Sequence, residues 1–338
     1  MSNPALVEVV RSGFVESMHH GALVITEPDG SVRLAVGDVD RPVFPRSSNK
    51  PFQALGMLRA GLEVDDEDLA FAAGSHNGEP KHVERALALL ERHGLAESDL
   101  FCPPAYPKHE TSKLAAVVER TGARKAAMNC SGKHAAMLAT CVQRGWPMGG
   151  YQAPEHELQR LIAGVIPELT GEPIAAAGMD GCGLPLAAFS LTGLARAFGR
   201  LVTGADGPER RVADAMRAHP WLVAGTDRVD TVLMTAVDGL LAKGGAEGVH
   251  AIALAGGAAV ALKVDDGARR PRGPLLIAAL RALGAISEDP DANFDRLGSG
   301  YGEVFGGGKS VGELRVVNSV FAGLRAHPSE SPGRSYRK

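Results

Sequence analysis

Aromatic residues make up only 5% of this 338-residue chain. Proteins that hold single-stranded nucleic acid stack bases on exposed rings, and nucleic-acid binders in general carry a basic field. Neither is present, for the formal net charge is -3 and the pI about 6.4. No apolar run is long enough to span a bilayer. The opening Met1-Ser2-Asn3-Pro4-Ala5-Leu6-Val7-Glu8 lacks the basic start and apolar core of a secretory signal. The expectation is a cytoplasmic protein with a small-molecule partner, without nucleic acid or membrane. Four cysteines, Cys102, Cys130, Cys141 and Cys182, show none of the paired spacing of a zinc ribbon or a redox Cys-x-x-Cys. In a reducing compartment they are expected to be free or metal-bound thiols.

Several familiar motifs are absent too. His156-Glu157 is followed by Leu158-Gln159-Arg160, so there is no His-Glu-x-x-His zinc site. Gly306-Gly307-Gly308-Lys309-Ser310 suggests a phosphate loop, but Glu303 stands where the leading glycine is needed. The Val311-Gly312-Glu313-Leu314-Arg315-Val316 that follows reads as a strand. A turn before an edge strand is expected there. Gly298-Ser299-Gly300-Tyr301-Gly302 lacks the final glycine of a dinucleotide loop and reads as a flexible loop.

Hydrophobic residues at 45% and charged ones at 22% are ordinary for a globular protein, and 42 glycines imply many tight turns. Strand patterns run from Leu6 to Arg11, Gly21 to Thr26 and Val32 to Val36, the last two joined by the turn Glu27-Pro28-Asp29-Gly30-Ser31. From Lys50 the spacing becomes helical, with Phe52, Leu55, Leu58 and Leu62 on one stripe. Helices are predicted near 66–73, 80–93, 112–121, from Ser131, and over 155–165. A strand at 173–177 precedes helices near 191–202, 209–218 and 228–242. A buried hairpin, Val249 to Leu254 and Ala258 to Val264, turns at Gly256-Gly257, and a helix at 274–283 and a strand at Leu314 to Val317 follow. The pattern implies an α+β fold, with a largely antiparallel sheet drawn from about 1–45 and 173–326 and a helix-rich part at about 46–170. Residues 1–326 are expected to form a single catalytic unit, and 327–338, rich in Pro, Ser, Gly and basic side chains, a disordered tail.

The chemistry centres on Pro45-Arg46-Ser47-Ser48-Asn49-Lys50-Pro51-Phe52-Gln53. Three residues are nearly one helical turn, so Ser47 and Lys50 share a face while Ser48 points elsewhere. A serine becomes nucleophilic when a base takes its proton, and a lysine is that base only if burial or nearby cations keep it neutral. The spacing is not specific, for Ser335-Tyr336-Arg337-Lys338 has it as well; a capping serine beside a solvated lysine is the plain alternative. In Asn129-Cys130-Ser131-Gly132-Lys133-His134, a thiol, an amine and an imidazole meet at a helix start, where thiolate is favoured. A buried structural cysteine is its alternative. Asp180-Gly181-Cys182-Gly183 sets a second thiol beside a carboxylate in a glycine-dense loop.

Taken with Glu16-x-x-His19-x-Gly21, Ser75-His76-x-Gly78-Glu79-Pro80 and Gly225-x-x-Arg228-x-Asp230-Thr231, these motifs resemble the asparaginase II family of the Rhizobium type, in family order and from about residue 7 to residue 323. The resemblance implies hydrolysis of L-asparagine to L-aspartate and ammonia, a fold related to the serine β-lactamases and glutaminases, and a homodimer. It implies two serine-lysine pairs, Ser47 with Lys50 and Ser75 with Lys263, and a zinc ion on Cys130, Lys133 and Cys182. Residue chemistry alone favours His134 over Lys133 as the ligand, since zinc ordinarily takes Cys, His or carboxylate. With the resemblance, His134 becomes a substrate-binding candidate lining the pocket, beside Arg46 for an α-carboxylate and Asp180 for an α-ammonium. Glutaminase activity or a β-lactamase or penicillin-binding type of hydrolase is the alternative, though Ser-Asp-Asn and Lys-Thr-Gly are both missing. The non-enzymatic alternative is a zinc or amino-acid binding protein.

Overall fold

The structure is a computed structural model that describes residues 2–287 and 302–324. Strands β1 (Ala5–Arg11), β2 (Phe14–Thr26) and β3 (Val32–Val36) open the chain. Six helices follow: α1 (Lys50–Arg59), α2 (Asp66–Ala72), α3 (Pro80–Glu91), α4 (Glu110–Val118), α5 (Ser131–Arg144) and α6 (Glu157–Thr170). β4 (Ala176–Met179) and β5 (Pro185–Ala188) form a separate two-stranded ribbon. Next come α7 (Leu191–Thr203), α8 (Pro208–Ala218), α9 (Pro220–Val223) and α10 (Val229–Ala236), then β6 (Leu241–Gly244), β7 (Val249–Ala253) and β8 (Ala259–Val264). α11 (Arg272–Ala282), β9 (Glu303–Gly306) and β10 (Lys309–Val316) close the described chain.

The large sheet has the order β6-β7-β8-β2-β1-β10-β9, with β3 beside β2, and its strand pairs are antiparallel. Its strands come from the two ends of the chain, as the mixed α+β pattern implied. β2 is long enough to pair with β1 through Phe14–His20 and, further on, with β3 and β8 through Leu23–Thr26. β7 is buried at every position, so both faces of the sheet are covered there. α7 packs on β2, β7 and β8, while α11 lies against β8 and β10. In the helical layer α1 buries Phe52 and Leu55 and packs against α5, α6 and α8.

Several elements differ from the sequence reading, and two of the differences are instructive. The helix expected over 228–242 ends at Ala236, because Gly239, at φ +69°, turns the chain into the short strand β6. The glycine-lysine turn does join two strands, with Gly307 and Gly308 both at positive φ. However, β10 begins at Lys309 and lies inside the sheet, and the edge strand is β9. The tail at 327–338 and residues 298–301 of the other glycine-rich stretch lie outside the described residues. Among the described residues no helix is long and apolar enough to cross a membrane.

The Glu16-x-x-His19-x-Gly21 motif proves to be scaffolding. Glu16 pairs with Arg11, and His19 Nδ1 donates to Asp266 Oδ2 at 2.6 Å while its Nε2 accepts from Arg270. Gly21 faces β8 so closely that a Cβ there would sit 2.2 Å from the carbonyl oxygen of Lys263. Gly21→Ala is therefore expected to lower unfolding stability by about 1–3 kcal/mol, the usual cost of overpacking. Urea unfolding measures this, and an unchanged midpoint would show that the strands can separate without cost.

Candidate active site

Arg46–Asn49 form a single 3-10 turn that runs into α1 at Lys50, whose N–H donates to Ser47 O. In a 3-10 turn residues three apart eclipse, so Ser47 and Lys50 share a side as expected, although through a tighter turn than an α-helix. Pro51 suits the first turn of α1, where its missing N–H costs nothing. Ser48 is fully buried and its hydroxyl donates to Lys243 O at 3.0 Å, whereas Ser47 is half-buried. Arg46 has φ +53°, a conformation a side chain adopts only under constraint. Its Nε donates to Asp180 Oδ1 at 2.8 Å, and Gly245 presses from β6, where a Cβ would meet Pro45 O at 2.4 Å.

Ser47 and Ser75 open on one cavity of about 170 Å³, with Cys130, Asp180 and Cys182 on its wall and Lys108, Arg228, Arg269 and Arg272 around it. The Ser75 hydroxyl is buried with no hydrogen-bond partner among the described residues. Behind the serines Lys50 has no exposed surface, and its amine donates to the carbonyl oxygens of Gly74 and, at 3.4 Å, Asn129. Burial pulls its pKa below the ordinary lysine value; the Cys130 thiolate works against that and Lys133 adds to it.

The thiols arrive on two elements. Cys130 is the N-cap of α5, and Cys182 sits in the β4–β5 turn, which Gly183 closes at φ +86°. A hydrogen bond from Cys182, then Lys50 and Lys133, hold the Cys130 thiol well below its usual range against the opposing effect of burial. Cys182 moves up, first because it keeps the shared proton and then because it is buried. Lys133 Nζ lies 3.3 Å from Cys182 Sγ; burial opposes its charge, but the thiols and Asp180 raise its pKa on balance. Asp180 is itself depressed: burial raises it, and Lys133, Arg46 and the Gly181 amide outweigh that. The three residues expected to hold a metal thus lie together. Among the described residues no three His, Cys, Asp or Glu side chains gather to hold a metal ion.

A further buried lysine, which the sequence reading missed, joins Lys50 and Lys133 in the cluster. Lys243 on β6 has no exposed surface; its Nζ donates to Gly244 O at 2.8 Å and stands 3.8 Å from Asp230 Oδ2. Burial pushes its pKa down to about 7, Asp230 resists, and Lys50 and Arg228 press it further down. Asp230 also accepts from Gly244 N at 2.8 Å and lies 2.8 Å from His250 Nε2.

Two expected residues are placed elsewhere. Lys263 extends from β8 into a different cavity with Asn3, Asp38, Arg41 and Asp265, and its amine donates to Val264 O. It does not line the serine pocket. His134 is buried, with Nδ1 2.6 Å from the Tyr151 hydroxyl, and it does not line the serine pocket. One residue on from Lys133 along α5 is about 100° of rotation, which carries the ring away. Arg46 and Asp180 do line the pocket, engaged with each other.

A family model described as L-asparaginase II matches residues 7–316. The chain belongs to the L-asparaginase II family. It is therefore an asparaginase-type amidohydrolase acting on a small molecule. No curated protein matches the chain. Among solved structures, a β-lactamase from Mycobacterium bovis is 13% identical at a TM-score of 0.41, over 79% of this chain and 95% of that one. Mglu, in its tris and glutamate form, is 15% identical at 0.35, over 86% of this chain and 65% of that one. EstCE1, a hydrolase with promiscuous acyltransferase activity, is 12% identical at 0.37, over 72% of this chain and 88% of that one. Likenesses this distant carry no functional argument.

Within this L-asparaginase II chain, other motif residues brace the pocket from behind. His76 Nδ1 accepts from Gly78 N at 3.0 Å, so its Nε2 carries the proton donated to Ser131 Oγ at 2.9 Å. The ring stacks on Phe71 and His82, and burial holds it neutral. Glu79 accepts from both Thr226 N and its hydroxyl, and Gly225, at φ +108°, leaves the room this needs, since a Cβ would stand 2.6 Å from Glu79 Oε1. These contacts fix Arg228, whose Nη1 donates to Asn77 Oδ1 at 2.8 Å.

Ser47 and Ser48 are separable by stability alone. Ser48→Ala leaves the Lys243 carbonyl without its buried donor and is expected to cost about 1 kcal/mol or more. Ser47→Ala removes no side-chain hydrogen bond among the described residues and is expected to leave the urea midpoint unchanged. Equal midpoints in the two variants would contradict this placement.

Proposed function

We propose that the protein is an L-asparaginase that forms an acyl-enzyme on Ser47. The observation that carries the reading is that two serines open on one small cavity, while Lys50 and Lys243, both fully buried and with depressed pKa values, lie on the segments that carry Ser47 and Gly244 to its wall. In the first step Ser47 Oγ attacks the side-chain amide carbon of L-asparagine and Lys50 takes the hydroxyl proton. Ser75 and Lys243 relay that proton to the leaving nitrogen, and the carbon–nitrogen bond breaks to release ammonia. Water then attacks the ester, returning the proton to Ser47 and releasing L-aspartate. Arg46 and Asp180 supply a cation and an anion for the amino-acid group, from the faces their mutual bond leaves to the pocket.

We extend the reading to a zinc ion on Cys130, Cys182 and Lys133. The donor set fits: two thiols already share one proton, and the amine stands 3.3 Å from one of them. Binding would require Lys133 and both thiols to lose their protons. A zinc ion there would supply a Lewis acid at the pocket wall. Elemental analysis of protein purified without added metal is expected to give about one zinc per chain, falling to background in Cys182→Ser. A zinc-free wild-type protein that still releases ammonia would remove the metal from the reading and leave the serine-lysine part intact.

Ammonia release from L-asparagine, with L-glutamine and nitrocefin as comparisons, tests the reaction. Ser47→Ala is expected to abolish it and Ser48→Ala to retain most of it. Lys243→Met should cut kcat/KM by about 10²–10⁴, the usual weight of a general base, while Lys263→Met stays within a few-fold. The pH dependence has a definite sign. Lys243 accepts a proton only when unprotonated, and its pKa is pushed down to about 7, so kcat/KM should be low in acid and climb through neutrality. A profile that peaks near pH 5 and falls through 7 would mean that a carboxylate is the base, and the serine-lysine mechanism would fail.

A further inference from the structure

The serine pocket opens into a second, larger cavity of about 630 Å³, and Lys108, Arg228, Arg269, Arg272 and Gly244 line both. Pockets of roughly 300–1,000 Å³ hold ligands well beyond one small amino acid, so the outer space is more than a passage for asparagine. Its wall carries five cationic side chains, Lys108, Lys113, Arg228, Arg269 and Arg272, against two carboxylates, Glu110 and Asp230. Asp230 is already committed to Lys243 and His250. The chain as a whole is negative, at -3, so the positive cavity is a local construction.

Three of these cations converge from separate segments: Lys108 before α4, Arg228 before α10 and Arg269 before α11. Among the described residues none of the three forms an ion pair. Their mutual field is strong enough to show: partial burial, then Arg269 and Arg228, push Lys108 down to about 8, even though its side chain still meets solvent. Crowding like charges is unfavourable, and an anion between them would relieve it.

We propose that this vestibule binds a compact polyvalent oxyanion, of the phosphate or the di- and tricarboxylate kind, between Lys108, Arg228 and Arg269, and that its occupancy hinders entry of the amide substrate. The binding half stands on the cavity alone, whereas the kinetic half rests on the L-asparaginase reading above. Because the three cations also line the serine pocket, a bound anion occupies the route the substrate takes.

Titration calorimetry on the full chain at constant ionic strength, in a buffer free of other polyvalent anions, with inorganic phosphate and with citrate, tests the binding. Saturable binding of at least one is expected, weakened about tenfold or more in Lys108→Ala and in Arg269→Ala, since a hydrogen bond to a charged group is worth at least that factor. Lys108→Arg, which keeps the charge, should retain binding and so guards against loss by misfolding. Steady-state ammonia release should then show KM rising with the anion while kcat holds. Absence of saturable binding by both ions, or equal affinity in wild type and both alanine variants, overturns the site. An equal rise in KM with chloride at matched ionic strength overturns the kinetic half, because simple screening would then account for it. If the protein did not hydrolyse asparagine at all, calorimetry would still decide the binding half by itself.

Discussion

Lys50 and Lys243 are held with no exposed surface, and much of the surrounding architecture answers what that demands. Burying an ammonium costs several kcal/mol even after relaxation, so the group either loses its proton or is met by fixed negative charge. Both happen here. Each lysine has a depressed pKa, and each has an anion nearby to limit the depression: the Cys130 thiolate for Lys50, Asp230 for Lys243. The third buried lysine, Lys133, goes the opposite way because two thiols and Asp180 surround it. Three amines of one kind are therefore pushed in different directions within a single cluster, two toward the neutral form and one toward the charged form.

Meeting those demands draws on every layer. The helical part contributes Ser47, Lys50, Ser75, Cys130 and Lys133; the ribbon contributes Asp180 and Cys182; the large sheet contributes Lys243 and the Gly244–Gly245 backbone. The layers meet where the end of β6 abuts the 3-10 turn, and the contact is tight enough that Gly245 can bear no side chain. The strain at Arg46 lies at the same place, countered by Asp180. A sheet built from both chain ends is what allows β6 to face a turn nearly two hundred residues earlier in sequence, as the Ser48–Lys243 hydrogen bond shows.

What was legible in the sequence is what local spacing encodes. Ser47 and Lys50 are one turn apart, Cys130 and Lys133 lie at a helix start, and glycines mark the Cys182 turn, so each could be read within a few residues. Lys243 could not. β6 has only four residues, too few for alternation to register, and the apolar run from Val229 to Leu241 keeps a helical period that hides the break at Gly239. Lys263, assigned to Ser75 by resemblance alone, lies near the end of an apolar strand whose register sends its amine to another cavity. His134, expected to line the pocket as a substrate contact, is turned by helical rotation toward Tyr151, while the Lys133 amine stays beside the thiols. The order of the sheet and the partners of Asp230 rest on contacts between distant segments, which no local pattern carries.

The charge of the entrance bears on how such a reaction would end. On the L-asparaginase reading, hydrolysis turns a neutral side-chain amide into a carboxylate, so L-aspartate carries one more negative charge than the substrate, and the nitrogen, once protonated in water, leaves as a cation. A rim of Lys108, Arg228, Arg269 and Arg272 repels that cation outward and retains the acid. Fields of this kind discriminate by charge change, and composition gives no sign of it, since the chain is weakly acidic as a whole. The inner pocket balances the rim with the Cys130 thiolate, Asp180 and Asp230, all drawn below their ordinary pKa values. Negative charge is thus placed where protons are handled and positive charge where the ligand enters. That separation follows from burial: the deep groups must be compensated within a few ångströms, whereas Lys108 and Arg269 at the rim are exposed to solvent, which screens their charge.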